Sequence, residues 1–450
     1  MSIQQNFPAI SPSLNLNFAR SKTLDPRITF SRTNPTATRM NELGLIETVG
    51  ADIPRFDHEY DASTGVIKSL GLLVEEARTN IHENNHSGLR GSGLSNGDRF
   101  YWDTNSADEI APDGINSSFK VYVDGTETNP GGSMYVVANG IGNNSLYTTT
   151  NIYTSSVFIK PILNRIFRFD AHSQYASDTN GGNPANISFY FDLSTPQGEV
   201  TEIETPGGLD ASVTAYPNGW YKCTWTYYRN SSNPVQSNYG VIIYPTEYGG
   251  NATTGGSGTY FYVWGPQVEQ GTFPTSYIPT SGGTATRNPD NVSMEGDNFS
   301  DVYNQEEGSY KVEGVINGSL PANTYGGIFG AGGGSGTSNF IFYNPGTSFG
   351  QYVSNTGQSP ASFLEKTYTV GSKFEISASY ATNDFACSLN GDISSSTTSD
   401  ALYKSHTYFR IGSNPIAVSA SSGVRGAMTI SNISYYSKQI EDTQLKTLTK

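Results

Sequence analysis

The residues best suited to catalysis lie in the segment His82-Glu83-Asn84-Asn85-His86, which matches the spacing H-E-x-x-H. On a helix, histidines four residues apart bind zinc on one face, and Glu83 would act as the general base. The two asparagines favour helices poorly, and a glycine-rich stretch begins directly after the segment. Residues 74–81 could supply only a short turn of helix before it. We therefore predict no zinc chemistry here, and a zinc-dependent hydrolase using His82, Glu83 and His86 is the alternative.

Other candidate groups give weaker catalytic signals. Asp57-His58-Glu59 could contact a metal, but three such residues in an acidic loop are expected to be solvated. Glu75 and Glu76 are adjacent, so on a strand they point to opposite faces and do not form a carboxylate pair. The sequence contains neither a G-x-S-x-G elbow nor a P-loop. The prediction is a protein that is not an enzyme, with no catalytic residues, no metal and no cofactor.

Aromatic side chains are the remaining candidates for a binding role. Sugar rings stack on exposed Trp or Tyr side chains, and neighbouring Asn, Gln and Asp side chains supply hydrogen bonds. Five aromatic residues flanked by polar or glycine-rich sequence are the predicted glycan-binding residues: Tyr101, Trp102, Tyr244, Tyr248 and Tyr325. Most of the 29 tyrosines and 4 tryptophans must instead fill cores and oligomer contacts.

The composition restricts the fold that must position these residues. Of 450 residues, 35% are hydrophobic, 15% are charged and 12% are aromatic, and there are 49 glycines. Disordered chains lack aromatic residues, and helical bundles need more Ala, Glu, Lys and Leu. The composition therefore predicts an all-β protein with long, turn-rich loops.

The charge excludes two classes of partner. The formal net charge is −14, and no Lys/Arg cluster could displace the counterions of a nucleic acid. The same sign disfavours anionic membranes, and no apolar run approaches the roughly 20 residues of a spanning helix. The start of the chain carries no secretory signal pattern, and Cys223 and Cys387 are too far apart to suggest a disulfide. These features suit a protein assembled in the cytoplasm that later faces the outside, as virion proteins do.

Short alternating strands and turn-rich stretches divide the chain into five parts. Residues 1–80 read as a few short strands that cannot bury much surface alone. They are predicted to pack on the next domain, a neighbouring copy or a larger particle. Residues 81–97 form a Gly/Ser/Asn linker, and residues 98–279 an antiparallel sandwich of jelly-roll type. Residues 280–291 form a second linker. Residues 292–450 form a second sandwich, which ends in a short helix around Ile440, Leu445 and Leu448.

Several strings resemble bacteriophage structural proteins, especially tail-associated and fibre-like ones. In residues 1–80 they are Leu16-Asn-Phe-Ala-Arg20, Asp25-Pro-Arg-Ile-Thr-Phe-Ser-Arg32, Pro54-Arg-Phe-Asp57 and Leu70-Gly-Leu-Leu-Val-Glu-Glu-Ala-Arg-Thr-Asn80. Strings similar to a carbohydrate-binding-like module and its exit linker are Gly219-Trp-Tyr-Lys222, Trp264-Gly-Pro-Gln-Val-Glu269, Thr275-Ser-Tyr-Ile-Pro-Thr280 and Thr286-Arg287. Strings similar to a concanavalin-like, laminin-G-type sandwich are Phe409-Arg-Ile-Gly412 and Ile430-Ser-Asn-Ile-Ser-Tyr-Tyr436.

This resemblance implies a virion structural protein, assembled in the host cytoplasm, of the tail-fibre or spike type. Residues 1–80 would then attach the protein to other virion proteins or to sister subunits, and the sandwiches would bind host cell-surface polysaccharide. A homo-oligomer, most plausibly a trimer, follows from how such appendages assemble. A capsid decoration or head-fibre protein is the alternative, because it shares the fold, charge and composition.

Overall fold

The computed structural model describes most of the chain, with gaps. The described residues are 8–82, 89–90, 100–103, 109–115, 117–123, 137–138, 151–162, 165–171, 187–203, 208–229, 241–245, 258–318, 320, 325–333, 337–344, 348–355, 362–365, 369–396, 402, 404–415 and 426–450.

Residues 8–82 contain seven short strands and one helical turn. In chain order they are β1 (Leu14–Asn17), α1 (Phe18–Ser21), β2 (Thr29–Ser31), β3 (Ala37–Met40), β4 (Ile46–Val49), β5 (Arg55–Asp61), β6 (Val66–Val74) and β7 (Arg78–Asn80).

The described residues between 83 and 279 contain twelve strands and a 3-10 turn at Pro217–Gly219. The strands are β8 (Leu89–Arg90), β9 (Phe100–Asp103), β10 (Phe119–Val123), β11 (Val137–Ala138), β12 (Asn151–Pro161), β13 (Ile166–Ala171), β14 (Ile187–Asp192), β15 (Glu199–Ile203), β16 (Gly208–Tyr216), β17 (Trp220–Arg229), β18 (Val241–Pro245) and β19 (Gly258–Gln270).

The described residues from 280 onwards contain twelve strands and two short helices. They are β20 (Ala285–Arg287), β21 (Asn291–Glu295), α2 (Asp297–Ser300), β22 (Gly308–Ile316), β23 (Gly326–Gly332), β24 (Thr337–Asn344), β25 (Ser348–Asn355), β26 (Ser362–Glu365), β27 (Lys373–Ala381), β28 (Asp384–Leu389), β29 (Asp392–Ser396), β30 (Tyr408–Ile411), β31 (Met428–Tyr436) and α3 (Asp442–Leu448).

Two antiparallel sheets pack face to face in what we call the composite sandwich. The eight-stranded sheet has the order β29-β28-β27-β22-β31-β6-β5, and β1 pairs with β31 as well. The seven-stranded sheet has the order β2-β21-β30-β23-β24-β25-β26. Aromatic rings from the two sheets meet between them, as where Tyr310 of β22 contacts Phe329 of β23 edge-on at 5.6 Å. Each ring buries a large apolar area, so these contacts dominate the core.

The composite sandwich joins the two ends of the chain. Strand β1 pairs with β31 in the register Leu14↔Tyr435 and Leu16↔Ile433, and β6 pairs with the other half of β31. Gly71 makes that second pairing possible, because its φ is +112° and a Cβ there would lie 2.2 Å from the carbonyl oxygen of Ile430. The predicted separation of residues 1–80 from residues 292–450 is therefore corrected: short apolar strands of the N-terminal segment complete the C-terminal sheet.

Two further antiparallel sheets form the inserted sandwich. The six-stranded sheet has the order β16-β17-β12-β19-β10-β9, and the four-stranded sheet has the order β15-β14-β13-β18. Alternation decides which side chains enter its core: Tyr221, Cys223, Trp225 and Tyr227 of β17 are all buried there. The prediction of an all-β protein built from two antiparallel sandwiches is confirmed.

A two-stranded stem carries the inserted sandwich. Strands β7 and β20, which enter and leave it, pair with each other in the register Asn80↔Ala285 and Arg78↔Arg287. The inserted sandwich thus interrupts the composite sandwich at one point of the chain. The predicted linker at 280–291 contains one strand of this stem.

Two local predictions about helices have opposite outcomes. Residues 74–81, considered as a helical turn, instead contain the end of β6 and all of β7. The short C-terminal helix is confirmed as α3, with Leu445 and Leu448 buried against β28. No helix in the described ranges is both long and apolar enough to cross a membrane.

Candidate functional site

A buried cluster of five charged residues connects the two sandwiches at the base of the stem. Arg55, at the start of β5, is fully buried and donates to Glu75 at 2.7 Å, to the Ser276 hydroxyl at 2.8 Å and to the Thr38 carbonyl at 3.0 Å. Its other terminal nitrogen donates to Asp290. One guanidinium therefore ties together β3, β5, β6 and the chain that leaves the inserted sandwich.

Two more arginines complete this cluster. Arg287 of the stem lies 3.2 Å from Glu75, and Arg32 lies 3.0 Å from Asp290. Arg32 also donates to backbone carbonyls of the turn at residues 50–53. We call Arg32, Arg55, Glu75, Arg287 and Asp290 the charged joint. Buried charges of this kind are tolerated only when each is paired and hydrogen-bonded, and each here is.

The electrostatics of the charged joint favour its ionised form. Burial alone would raise the pKa of Glu75, but Arg287 and Arg55 lower that pKa to about 2. Burial opposes the charge of Arg55, yet Asp290 and Glu75 raise its pKa above the ordinary value. Burial lowers the pKa of Arg287 and of Arg32. Glu75 and Arg55 therefore stay ionised over the physiological pH range.

Hydrogen bonds from uncharged groups surround the joint. Glu269 accepts from the backbone N–H of Thr275 at 2.9 Å and from its hydroxyl at 2.5 Å. The buried Asn80 amide accepts from the N–H of Val268 at 3.0 Å and donates to the Ile278 carbonyl at 3.0 Å. These bonds fix the stem to the last strand of the inserted sandwich.

The strings that carry the resemblance to phage proteins converge on this cluster. Arg32, Arg55 and Glu75 each stand in a different string of residues 1–80, and Arg287 stands in the exit-linker string. Their adjacency was not predicted from the sequence. The sequence feature that could have indicated these buried charges is a charged residue directly at the end or start of a buried apolar run. Glu75, which follows Leu70-Gly-Leu-Leu-Val74, is an example. The strings therefore encode a structural joint.

A cavity of about 160 Å³ opens beside the charged joint, between the two sandwiches. Asp57 and His58 of β5 line one side, while Lys222 of β17, Phe158 of β12 and Tyr216 of β16 line the other. The rings of Phe158 and Tyr216 meet edge-on at 4.9 Å. Alternation places Lys222 on the outer face of the six-stranded sheet, opposite the core residues of β17.

The polar side chains of this cavity use only part of their hydrogen-bond donors and acceptors on backbone groups. Asp57 accepts from the Met40 N–H at 2.7 Å, and His58 Nδ1 lies 3.0 Å from the Met40 carbonyl. The ammonium of Lys222 donates to the Thr275 carbonyl at 3.2 Å and has two further protons. Burial raises the pKa of Asp57 to about 6 and lowers the pKa values of His58 and Lys222.

The expectation that Asp57-His58-Glu59 form a solvated acidic loop is wrong. These residues lie in β5, which pairs with β6, and His58 is 7% exposed. Asp57 holds the β3–β4 hairpin through its bond to Met40 rather than facing solvent. In the described part of the chain, no three His, Cys, Asp or Glu side chains are grouped as a metal would require.

The predicted glycan-binding residues lie on different parts of the fold. Strand β9 places Tyr101 and Trp102 at the edge of the six-stranded sheet, and β18 places Tyr244 in the four-stranded sheet. Tyr325 belongs to the composite sandwich, and Tyr248 lies outside the described residues. The four that the structure describes thus lie in two different sandwiches, three in the inserted sandwich and Tyr325 in the composite sandwich.

Tyr325 is the predicted residue whose surroundings are best defined. Its side chain is 37% exposed and stands before β23. The Tyr325 ring contacts Phe342 edge-on at 5.0 Å and lies 6.1 Å from Tyr352, and both partners are buried. A rigidly supported, partly exposed ring of this kind can stack against an apolar ligand face.

The H-E-x-x-H segment lies largely outside the described residues. His82 is 2% exposed and follows strand β7, and its backbone N–H donates to the Asn80 amide oxygen at 3.0 Å. Glu83 and His86 fall in the part of the chain that the structure does not describe. The strand before His82 differs from the helix that a zinc site of this type uses.

No family model matches the sequence, and no curated protein matches it either. Solved structures with a similar chain trace include a sialidase carbohydrate-binding module, CBM40, of Ruminococcus gnavus bound to α2,3-sialyllactose. That match has 13% identity and a TM-score of 0.28, and it covers 34% of this chain and 86% of the other.

Two further matches are of the same quality. A Trypanosoma rangeli sialidase in complex with the inhibitor DANA has 12% identity and a TM-score of 0.28, with 74% of this chain and 60% of that chain covered. A pentraxin of Limulus polyphemus has 11% identity and a TM-score of 0.26, with 32% and 70% covered. At these TM-scores the matches assign neither a family nor a ligand to this chain.

Proposed function

We propose that the protein is a non-enzymatic structural protein of a bacteriophage virion that binds host-surface glycan through Tyr325. The observation that carries the binding role is the half-exposed Tyr325 ring braced by two buried aromatic rings. Carbohydrate C–H faces stack on such rings, and sites of this type gain strength when several copies bind together. The virion assignment rests on the strings that resemble phage proteins.

The charged joint supports the structural part of this proposal. A buried network that ties two sandwiches together suits a protein whose domains hold a fixed relative position under mechanical load. In this proposal the protein forms a homo-oligomer, with a trimer favoured, and contacts other virion proteins. It belongs to a tail fibre or spike.

A Tyr325→Ala variant tests the glycan-binding role. Loss of the stacking ring is expected to abolish binding of the purified oligomer to host cells and to extracted cell-surface polysaccharide. Tyr325→Phe keeps the ring and is expected to bind as the wild type does. Leu209→Ala, which removes a more exposed apolar side chain from the inserted sandwich, is the control. Undiminished binding by Tyr325→Ala contradicts the proposal.

Attachment to the particle is proposed to use the exposed surface of the N-terminal segment. A groove of about 530 Å³ runs along residues 15–26 and includes Arg20 of α1. Charge reversal with Arg20→Glu is expected to reduce incorporation into virions, whereas Lys404→Glu on another exposed surface is not. Imaging of labelled particles then separates a tail location from the capsid location of a decoration protein. Normal incorporation of Arg20→Glu argues against docking through this groove.

A further inference from the structure

The cavity between the two sandwiches presents three polar side chains that the protein itself does not saturate. Lys222 uses one of its three ammonium protons on Thr275, and Asp57 accepts one backbone N–H from Met40. The hydroxyl of Tyr216 makes no hydrogen bond to any described residue. A charged donor, a charged acceptor and a neutral hydroxyl therefore face the same space.

One wall of the cavity is apolar. The ring of Phe158 lies beside Tyr216, and the ammonium of Lys222 stands 6.0 Å from the centre of the Phe158 ring. Ile46 and Leu73 extend the apolar surface on the other side. An occupant must consequently present one apolar face together with hydroxyl-like groups at its edge.

The volume and the charged side chains of the cavity limit the class of ligand that it can bind. The volume of about 160 Å³ is below the roughly 300–1,000 Å³ of sites for drug-sized ligands. An anion would meet the carboxylates of Asp57 and Glu75, and a cation would meet Arg39 and Lys222. A neutral molecule that both donates and accepts hydrogen bonds fits all four groups.

We propose that this cavity is a binding subsite for one neutral sugar ring or a polyol of that size. Hydroxyl groups of the ligand donate to Asp57 and accept from Lys222, while a C–H face packs on Phe158 and Tyr216. The subsite lies between the sandwiches, where ligand sites are common. It is separate from the Tyr325 surface and goes beyond the function proposed above.

Titration of the full-length protein with D-glucose, D-galactose, N-acetyl-D-glucosamine and glycerol tests this inference. At least one probe is expected to bind saturably in calorimetry or saturation-transfer NMR. Lys222→Met is expected to weaken that binding about tenfold, because it removes a charged hydrogen-bond donor. Tyr216→Phe, which removes a single oxygen and keeps the ring, is expected to weaken it about threefold.

Tyr325→Ala separates this inference from the function proposed above. It is expected to leave binding of the small probes unchanged even where it abolishes binding to cells. If Lys222→Met does not fold, Tyr216→Phe decides the outcome alone. Absence of saturable binding by every probe, as expected for a cavity that holds water only, overturns the proposal. Binding that the folded cavity variants leave unchanged overturns it equally.

Discussion

The two sandwiches are assembled from the chain in different ways. The core of the inserted sandwich draws on residues 81 to 268, one continuous stretch of sequence. The core of the composite sandwich combines residues 14–74 with residues 292–435. The first forms within one stretch of the chain, whereas the second requires its sheet to close across the whole intervening domain. Contacts of such long sequence separation are formed late and at a high entropic cost.

Deletion of residues 1–80 should show this dependence most strongly. The deletion removes β1, β5 and β6 from the eight-stranded sheet and takes Leu14, Leu16 and Leu72 from the composite core. We expect the composite sandwich to lose its fixed tertiary packing, which near-UV circular dichroism and dye binding report. A chain lacking only residues 1–7 is the control. A cooperative melt of unchanged amplitude in the 1–80 deletion contradicts the composite assignment.

Breaking the charged joint should lower the free energy of unfolding by less than the deletion of residues 1–80 does. It should lower it by more than a substitution at an exposed ion pair. Arg55→Met leaves Glu75 and Asp290 buried without their shared partner, which is expected to lower the free energy of unfolding by about 3–5 kcal/mol. Arg39→Met breaks the half-exposed pair between Arg39 and Glu47 and should cost about 0–1 kcal/mol. Denaturant melts of both variants measure the difference. Equal losses would mean that the joint is no stronger than a surface pair.

The contribution of Asp57 to stability should depend on pH. Because burial raises the pKa of Asp57 to about 6, its contribution to stability is complete below about pH 4 and is lost as the pH rises through 6. Asp57→Asn still accepts the Met40 N–H and carries no charge. The variant should exceed the wild type by about 1–3 kcal/mol at pH 8 and match it at pH 4.

Melting temperatures of both proteins between pH 4 and 8 check this expectation. Burial lowers the pKa of His58, so its effect on stability has the opposite pH dependence to that of Asp57. Because both proteins contain His58, the difference between variant and wild type reports Asp57. A difference that does not change with pH would show that Asp57 keeps an ordinary pKa.

A small effect on stability is expected at Tyr325. Its ring is 37% exposed and contributes an edge contact to Phe342, so Tyr325→Ala should cost about 0.5–1.5 kcal/mol. Thermal melting measures this loss beside the binding assay. A loss comparable to that of Arg55→Met would assign Tyr325 a structural role instead.

Sequence reasoning recovers what depends on local pattern. The spacing of apolar residues predicted short strands in both sandwiches and the final helix, because two-residue and 3.6-residue periods decide which side chains are buried. Residues 1–80 were predicted to contain a few short strands for the same reason, but β5 and β7 were missed: residues 57–59 were expected to form a loop and residues 74–81 a helical turn.

The pairing partners of these strands could not be predicted from the sequence. Nothing in Leu14-Asn-Leu-Asn17 specifies β31 as its neighbour, because many apolar strands share that alternation and the partner lies more than 400 residues away. The charged joint was missed for a similar reason: its five residues come from separate parts of the sequence, and only the assembled fold brings them within hydrogen-bond distance. Sequence alone did not separate Tyr325 from the other predicted aromatic residues, because it does not report which sheet a residue joins.

The β7–β20 stem has a consequence for how such proteins change over generations. Paired antiparallel residues stand only about 4.5–5.5 Å apart, so the inserted sandwich leaves and rejoins its host at nearly one point. Domains with adjacent termini are readily accepted at such a site. A recombination event that replaces everything beyond the stem would exchange a whole domain in one step. The incoming domain would need only to cover Ile46 of the β3–β4 hairpin and to donate a hydroxyl and an N–H hydrogen bond to Glu75 of the charged joint. Ser276 makes these two bonds in the present protein.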